Sequence, residues 1–262
     1  MAPSQEEWDE LSDEERAAVV AALPGEVTDA EMSPPEGDRH FKAKVRALDA
    51  LRSFFSKQRR RIYLAPELPV YYPAEPRFAP DLLAVLDVED HERDAWIVSK
   101  EGRGLDWVLE VHVGGDRKKD AERNVTRYAR LGISEYFMYD RAKNRLHAFR
   151  LSPDTRTYTA IIPQHGMFSS TVLGLDVQVE RDRLRFYAGT ALLLESEELI
   201  ARLEQMVDEL TRRADEEVRL RQEEARLRQE EARLRQEEAS RREEAEREVA
   251  RLRAEIERLT RK

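Results

Sequence analysis

From about Leu192 to Lys262, almost every position that is not leucine is Arg, Glu, Gln or Ala. A stretch so charged has little to bury, so the globular core must come from elsewhere in the chain. Within it the unit Arg-Leu-Arg-Gln-Glu-Glu-Ala recurs, starting at Arg219, Arg226 and Arg233. The composition predicts a helix, which over residues 191–262 would be about 108 Å long at 1.5 Å per residue. Charged residues make up 38% of the 262 and hydrophobic residues 40%. Because the charge is concentrated in the tail, residues 1–190 are more apolar than that average, and the core is expected there.

The helix carries two apolar patches. Leu199, Leu203, Met206, Val207 and Leu210 form a stripe near its start. Ala245, Val249, Leu252, Ile256 and Leu259 alternate four and three apart, the spacing of a coiled-coil seam. Between them Leu220, Leu227 and Leu234 recur once per heptad. Ala225, Ala232 and Ala239 fall on another side of the helix, so the middle stripe is thin. Two readings stand: an exposed single helix held by Glu–Arg pairs four residues apart, or a dimeric coiled coil. The two end patches together predict a concentration-dependent homodimer through residues 199–259.

The formal net charge is −9, the opposite of the basic excess usual in proteins that hold DNA by its phosphates. Local basic runs do occur, at Lys57 to Arg61 and at Arg117-Lys118-Lys119. With no cysteine there is no disulfide framework and no thiolate zinc site. No apolar run approaches the roughly 20 residues that span a bilayer. The acidic start, MAPSQEEWDELSDEER, lacks an apolar leader. These features predict a cytoplasmic protein with no membrane partner.

Three regions are expected: a helical extension at 1–30, an α/β domain at 31–190 and the charged helix at 191–262. Ser12 and Glu15 have capping-box spacing before a short helix that Pro24-Gly25 ends. Pro34-Pro35 lies in a loop, and Phe41, Val45, Leu48, Leu51, Phe54 and Phe55 then recur at helical spacing. Strands are expected at 62–64, 68–72, 80–86, 107–113, 136–140, 146–151 and 158–162, and one or two more within 172–186. Residues 88–104 read as an excursion or hairpin. A helix over about 118–131 ends at Gly132, a residue suited to the position just past a helix end. The order predicts a mixed sheet flanked by helices.

Two acids sit where apolar residues are expected. Asp81 opens a buried-looking strand, and Glu110 lies inside another between Leu109 and Val111. A carboxylate in such a run is costly unless it is paired or bound to a metal. If the strands are neighbours, the two can converge into a hard oxygen site for Mg²⁺ or Mn²⁺. Singly, each residue has a plainer reading. Asp81 can be a turn residue, Glu110 can pair with Arg117 or a lysine, and His112 can be a satisfied core histidine.

Pro80-Asp81 followed by Glu110-Val111-His112 resembles the PD…(D/E)XK motif of metal-dependent nucleases. Glu110-Val111, Asp120, Tyr128, Gly132-Ile133 and Glu135-Tyr136-Phe137 through Asp140 resemble the Uma-two family of restriction endonucleases. Upstream, Pro34-Pro35 and His40 at a helix start fit as well. The similarity covers roughly residues 30–190 and leaves the charged helix outside. It implies a restriction-endonuclease-like core and a metal-dependent endonuclease acting on DNA, with Asp81 and Glu110 as ligands. The motif's lysine is His112 here, and the helical position suggested as its substitute is Asn124. Catalytic assistance then falls to His112, as proton acceptor or ligand, and to Lys118 or Lys119 from the helix start. The alternative is a nuclease-like platform that has lost its lysine and recruits a partner through its C-terminal helix.

Overall fold

The computed structural model describes residues 1–25, 37–58, 60–113 and 118–260, without the side chains of 118–122, 255 and 257–260. Pro34-Pro35, Arg59 and Gly114 to Arg117 therefore lie outside the described residues, as do the side chains of Lys118, Lys119, Asp120 and Leu259. The chain divides into two units, Met1–Glu198 and Leu199–Lys262.

In the first unit, α1 (Gln5–Glu10) and α2 (Asp13–Ala22) each start at a serine with a reciprocal capping box. Ser12 with Glu15 caps α2, as its spacing predicts; Ser4 with Glu7 caps α1, a helix that the sequence reading leaves out. The long amphipathic helix is α3 (Gly37–Phe55). It is followed by β1 (Ile62–Ala65), β2 (Val70–Tyr71) and β3 (Leu82–Leu86). Residues 88–104 contain β4 (Trp96–Ile97) and the single turn α4 (Val98–Glu101), and β4 pairs in parallel with β2. Then come β5 (Trp107–His112), α5 (Lys118–Arg130), β6 (Glu135–Asp140), β7 (Arg145–Leu151) and β8 (Tyr158–Ala160).

These strands make a six-stranded sheet in the order β1-β3-β5-β6-β7-β8. Only β5 and β6 pair in parallel within it; the other neighbours are antiparallel, so the sheet is mixed, as predicted. A parallel pair needs a crossover, and α5 supplies it. Gly132, just past α5, has φ +77°, the left-handed conformation that glycine adopts without penalty. The strands expected within 172–186 are present as a pair, and a short strand flanks them on each side. They give a second antiparallel sheet, β12-β11-β10-β9, built from β9 (Phe168–Ser170), β10 (Leu175–Glu180), β11 (Arg183–Ala188) and β12 (Ala191–Leu192).

Alternation along the strands gives the main sheet two apolar faces. Trp107, Leu109, Val111, Phe137 and Tyr139 pack with Ala47, Leu51 and Phe55 of α3 and with Val177 and Phe186 of the second sheet. Leu83, Val85, Val108 and Tyr136 pack with Tyr128 of α5 and Ile133. The sheets are also locked by a polar contact at Glu135, which is fully buried. Its carboxylate accepts from Arg150 Nε at 2.9 Å, from the Ser170 hydroxyl, and from the Thr171 N–H and hydroxyl at 2.9 and 2.8 Å.

The helix α6 (Ser196–Thr260) begins at the end of the first unit and forms the second. Its first turn is tied down by Ser196, whose N–H and hydroxyl both donate to Asp49 at 2.7 Å. Along its length Glu217–Arg221, Glu224–Arg228, Glu231–Arg235 and Glu238–Arg242 pair four residues apart. Glutamate precedes arginine in each, the more favourable order for the helix dipole. Ile200, Leu203, Val207 and Leu210 at one end are exposed, as are Val249, Leu252 and Ile256 at the other. Among the described residues no helix is long and apolar enough to cross a membrane.

Candidate active site

Antiparallel register brings the two strand-borne acids together. In β3–β5, Leu82 faces Leu109, and one step further along the same register sets Asp81 opposite Glu110. Asp81 Oδ2 accepts the Val111 N–H at 2.7 Å, so the carboxylate caps the ladder where the backbone rungs of β3 stop. Its other oxygen, Oδ1, lies 2.8 Å from His40 Nε2 in the first turns of α3. Both side chains are near the surface without being open to it, Asp81 14% and His40 13% exposed. Glu110 projects from the β5 face that α5 covers, and the Tyr128 hydroxyl donates to its Oε1 at 2.6 Å.

Neighbouring contacts hold this arrangement. Arg127, beside Tyr128 on α5, donates to Glu75 at 2.8 Å and to the Pro76 carbonyl at 2.6 Å, and stacks over Phe78. Arg130 adds a second bond to Glu75. The approach to β5 is fixed by the Tyr72 hydroxyl, which accepts the Leu105 N–H at 2.8 Å. A Cβ on Gly104 would lie 2.4 Å from that hydroxyl, so the position requires glycine.

The electrostatics split the two carboxyls. Burial works against the Asp81 carboxylate, but the His40 bond and charge, the Val111 N–H and the Lys44 charge outweigh it. They hold Asp81 below the ordinary carboxylate range. Glu110 goes the other way. Burial and the adjacent Asp81 charge push it well above its ordinary value, against a smaller opposing effect of Tyr128. Of the two, Glu110 is the one that holds a proton more tightly than usual, because burial and the neighbouring like charge disfavour its ionised form. Burial and the Glu110 charge likewise raise the Tyr128 phenol.

This split has a consequence for stability. A carboxyl whose folded pKa lies above its unfolded value of about 4.5 binds the proton more tightly when folded. Its contribution to stability is complete below the unfolded value and is lost as pH rises through the raised one. Glu110→Gln cannot ionise and escapes that loss. Melting temperatures of the metal-free proteins over roughly pH 4 to 9 should therefore diverge, the natural chain falling relative to Glu110→Gln as pH rises. Parallel curves would mean that Glu110 holds no extra proton.

The remaining candidates separate. His112 is on the same side of β5 as Glu110, two residues on, and in the parallel β5–β6 register it faces Asp140. Burial opposes the Asp140 charge, but the Lys143 N–H and ammonium, with His112 nearby, hold this carboxyl below its usual range. Lys118 and Lys119 lie in the first turn of α5, but their side chains are outside the described residues. Asn124 of α5 faces the Tyr136 hydroxyl, a buried group with no close hydrogen bond. Among the described residues no group of three or more His, Asp or Glu side chains is assembled for a metal. His40 and Tyr128 emerge as partners of the acids. The sequence quotes both within the family pattern but assigns them no role, because their partners are 41 and 18 residues away.

A family model described as "Uma2: Putative restriction endonuclease" matches residues 6–180. The chain belongs to the Uma2 family. That match spans the whole Asp81–Glu110 arrangement, extends upstream of the expected residue 30 to take in nearly all of α1 and all of α2, and leaves β11, β12 and the whole of α6 outside. A solved structure described as a "putative nuclease belonging to DUF820 from Anabaena variabilis ATCC 29413" is similar at 12% identity and a TM-score of 0.41. The similarity covers 52% of the Uma2 chain described here and 73% of that one. No curated protein matches.

The donor set fits a hard divalent ion in kind. Two carboxylates are what Mg²⁺ commonly takes from a protein, the rest of its octahedron being water and substrate oxygen.

Proposed function

We propose that this chain is a Mg²⁺- or Mn²⁺-dependent endonuclease that hydrolyses DNA phosphodiester bonds, with Asp81 and Glu110 as the metal ligands. The observation that carries this reading is the cross-strand juxtaposition of Asp81 and Glu110, within the residues matched by the family model described as "Putative restriction endonuclease". When bound, the ion would polarise the scissile phosphate and lower the pKa of a bound water. Asp81 is oriented for that task by His40 and the Val111 N–H, and Glu110 by Tyr128. His112, two residues beyond Glu110, is assigned to accept the proton of the attacking water and is steadied by Asp140. Supercoiled plasmid incubated with the purified full chain should be nicked in Mn²⁺ or Mg²⁺ and left intact in EDTA. Intact plasmid under all three conditions contradicts the proposal.

A second reading is supported by the histidine at the position of the motif's lysine and by the exposed apolar stripes of α6. In it the domain is a platform and the helix is the interacting part. Both readings include a homodimer through residues 199–259, the exposed ends of α6 supplying the seam. Sedimentation equilibrium of the full chain should give masses rising from monomer to dimer as concentration increases, while a chain ending at Arg212 stays monomeric. A full chain monomeric at tens of micromolar would leave α6 as a single helix held by its own Glu–Arg pairs.

A further inference from the structure

Among the described residues Lys44 is the one buried lysine, 4% exposed. It is one helical turn past His40 on α3, so both side chains leave the same face of the helix. Its ammonium pairs with Glu67, whose side chain is 56% exposed. Glu67 has its backbone in the left-handed region, φ 50°, and its N–H donates at 3.0 Å to the carbonyl of Pro80, the residue before Asp81. Lys44, Glu67, Pro80 and Asp81 are thus one connected group at the edge of the candidate site. The Lys44 charge is felt at Asp81.

Burying an ammonium is expensive, and a partner left half in water returns little of that cost. An aliphatic side chain would fill the same space without the penalty. The chemistry of phosphodiester hydrolysis asks for a fixed positive charge beside the attacked phosphate. Position 112, where the motif would place it, holds a histidine facing Asp140 instead.

We infer that Lys44 supplies this cation from α3, and that Glu67 is its exchangeable partner, a carboxylate holding the ammonium until a phosphate oxygen of the DNA backbone takes its place. The inference rests on the endonuclease reading for its chemistry, but it also makes a claim about phosphate binding alone. A lysine is a point charge that accepts either oxyanion. The exposed glutamate can swing into solvent while the lysine stays in place. Glu67 therefore competes with substrate, and removing its charge helps the substrate.

The test uses the full chain, a fluorescently labelled oligonucleotide in Ca²⁺ for binding by anisotropy, plasmid cleavage in Mn²⁺, and thermal melting. Lys44→Met should melt at or above the natural temperature, bind the oligonucleotide about tenfold more weakly, and cleave roughly 10²-fold more slowly. Glu67→Gln should bind it a few-fold more tightly. If both variants merely melt lower, with binding and cleavage unchanged, the pair is structural and the inference is overturned while the endonuclease reading stands. If the natural chain binds the oligonucleotide but does not cleave, hydrolysis is wrong, and the opposite shifts of the two variants in binding still decide Lys44. If it neither binds nor cleaves, both fall.

Discussion

Asp81→Asn and Glu110→Gln should each reduce metal-dependent cleavage of supercoiled DNA by roughly 10³-fold or more, with the fold intact. That loss corresponds to about 4 kcal/mol of transition-state stabilisation, within what a bound divalent ion supplies. The isosteric substitutions are chosen on structural grounds. Asparagine at 81 keeps an acceptor for the Val111 N–H, and glutamine at 110 keeps one for the Tyr128 hydroxyl. Alanine at 81 would instead orphan the Val111 N–H, at about 1–3 kcal/mol of stability, and mix folding with chemistry. Gel densitometry at equal protein concentration reads the result. Cleavage within a few-fold of the natural chain in either variant would place the chemistry elsewhere.

The largest stability effect is expected at Glu135→Ala. This carboxylate takes four hydrogen bonds from Arg150, Ser170 and Thr171, and it joins the main sheet to the second one. Removing it leaves a cavity, an Arg150 without its buried partner and buried donors without an acceptor. The cavity together with the orphaned Ser170 and Thr171 donors costs about 3–5 kcal/mol, while Arg150, partly exposed, is left to solvent. Urea denaturation should show the midpoint falling accordingly, with cleavage per folded molecule preserved because Glu135 is remote in register from Glu110. A loss below about 1 kcal/mol would mean that Arg150 and Ser170 re-pair locally.

How much of this was legible depended on range. The apolar period exposed α3, β3, β5, β6 and α5, since each is set by its own residues. The Asp81–Glu110 pair was legible too, because a carboxylate inside an apolar run marks itself. His40 and Lys44 were not. On α3 Lys44 reads as an ordinary polar position and His40 only as part of the family pattern without a role, and only the packing of α3 against the sheet brings them to Asp81. The second sheet was under-read because β9 and β12 are three and two residues long. Strands that short show no period and exist by pairing with β10 and β11. The short β4 is similar, formed by its pairing with β2. His112 is expected to assist the attacking water, as proton acceptor or metal ligand; the parallel register of β5 and β6 also sets it beside Asp140, a neighbour that no local pattern names.

A divalent ion taken up by Asp81 and Glu110 should displace the proton that Glu110 holds more tightly than usual. Calorimetric titration of the full chain with MnCl₂ in two buffers of different ionisation enthalpy, near neutral pH, tests it most directly. The predicted result is one binding event per chain whose heat depends on the buffer, reporting proton release on binding. Affinity should increase with pH, and Glu110→Gln should abolish the event. Absence of binding, or binding that releases no proton and survives Glu110→Gln, would contradict the account.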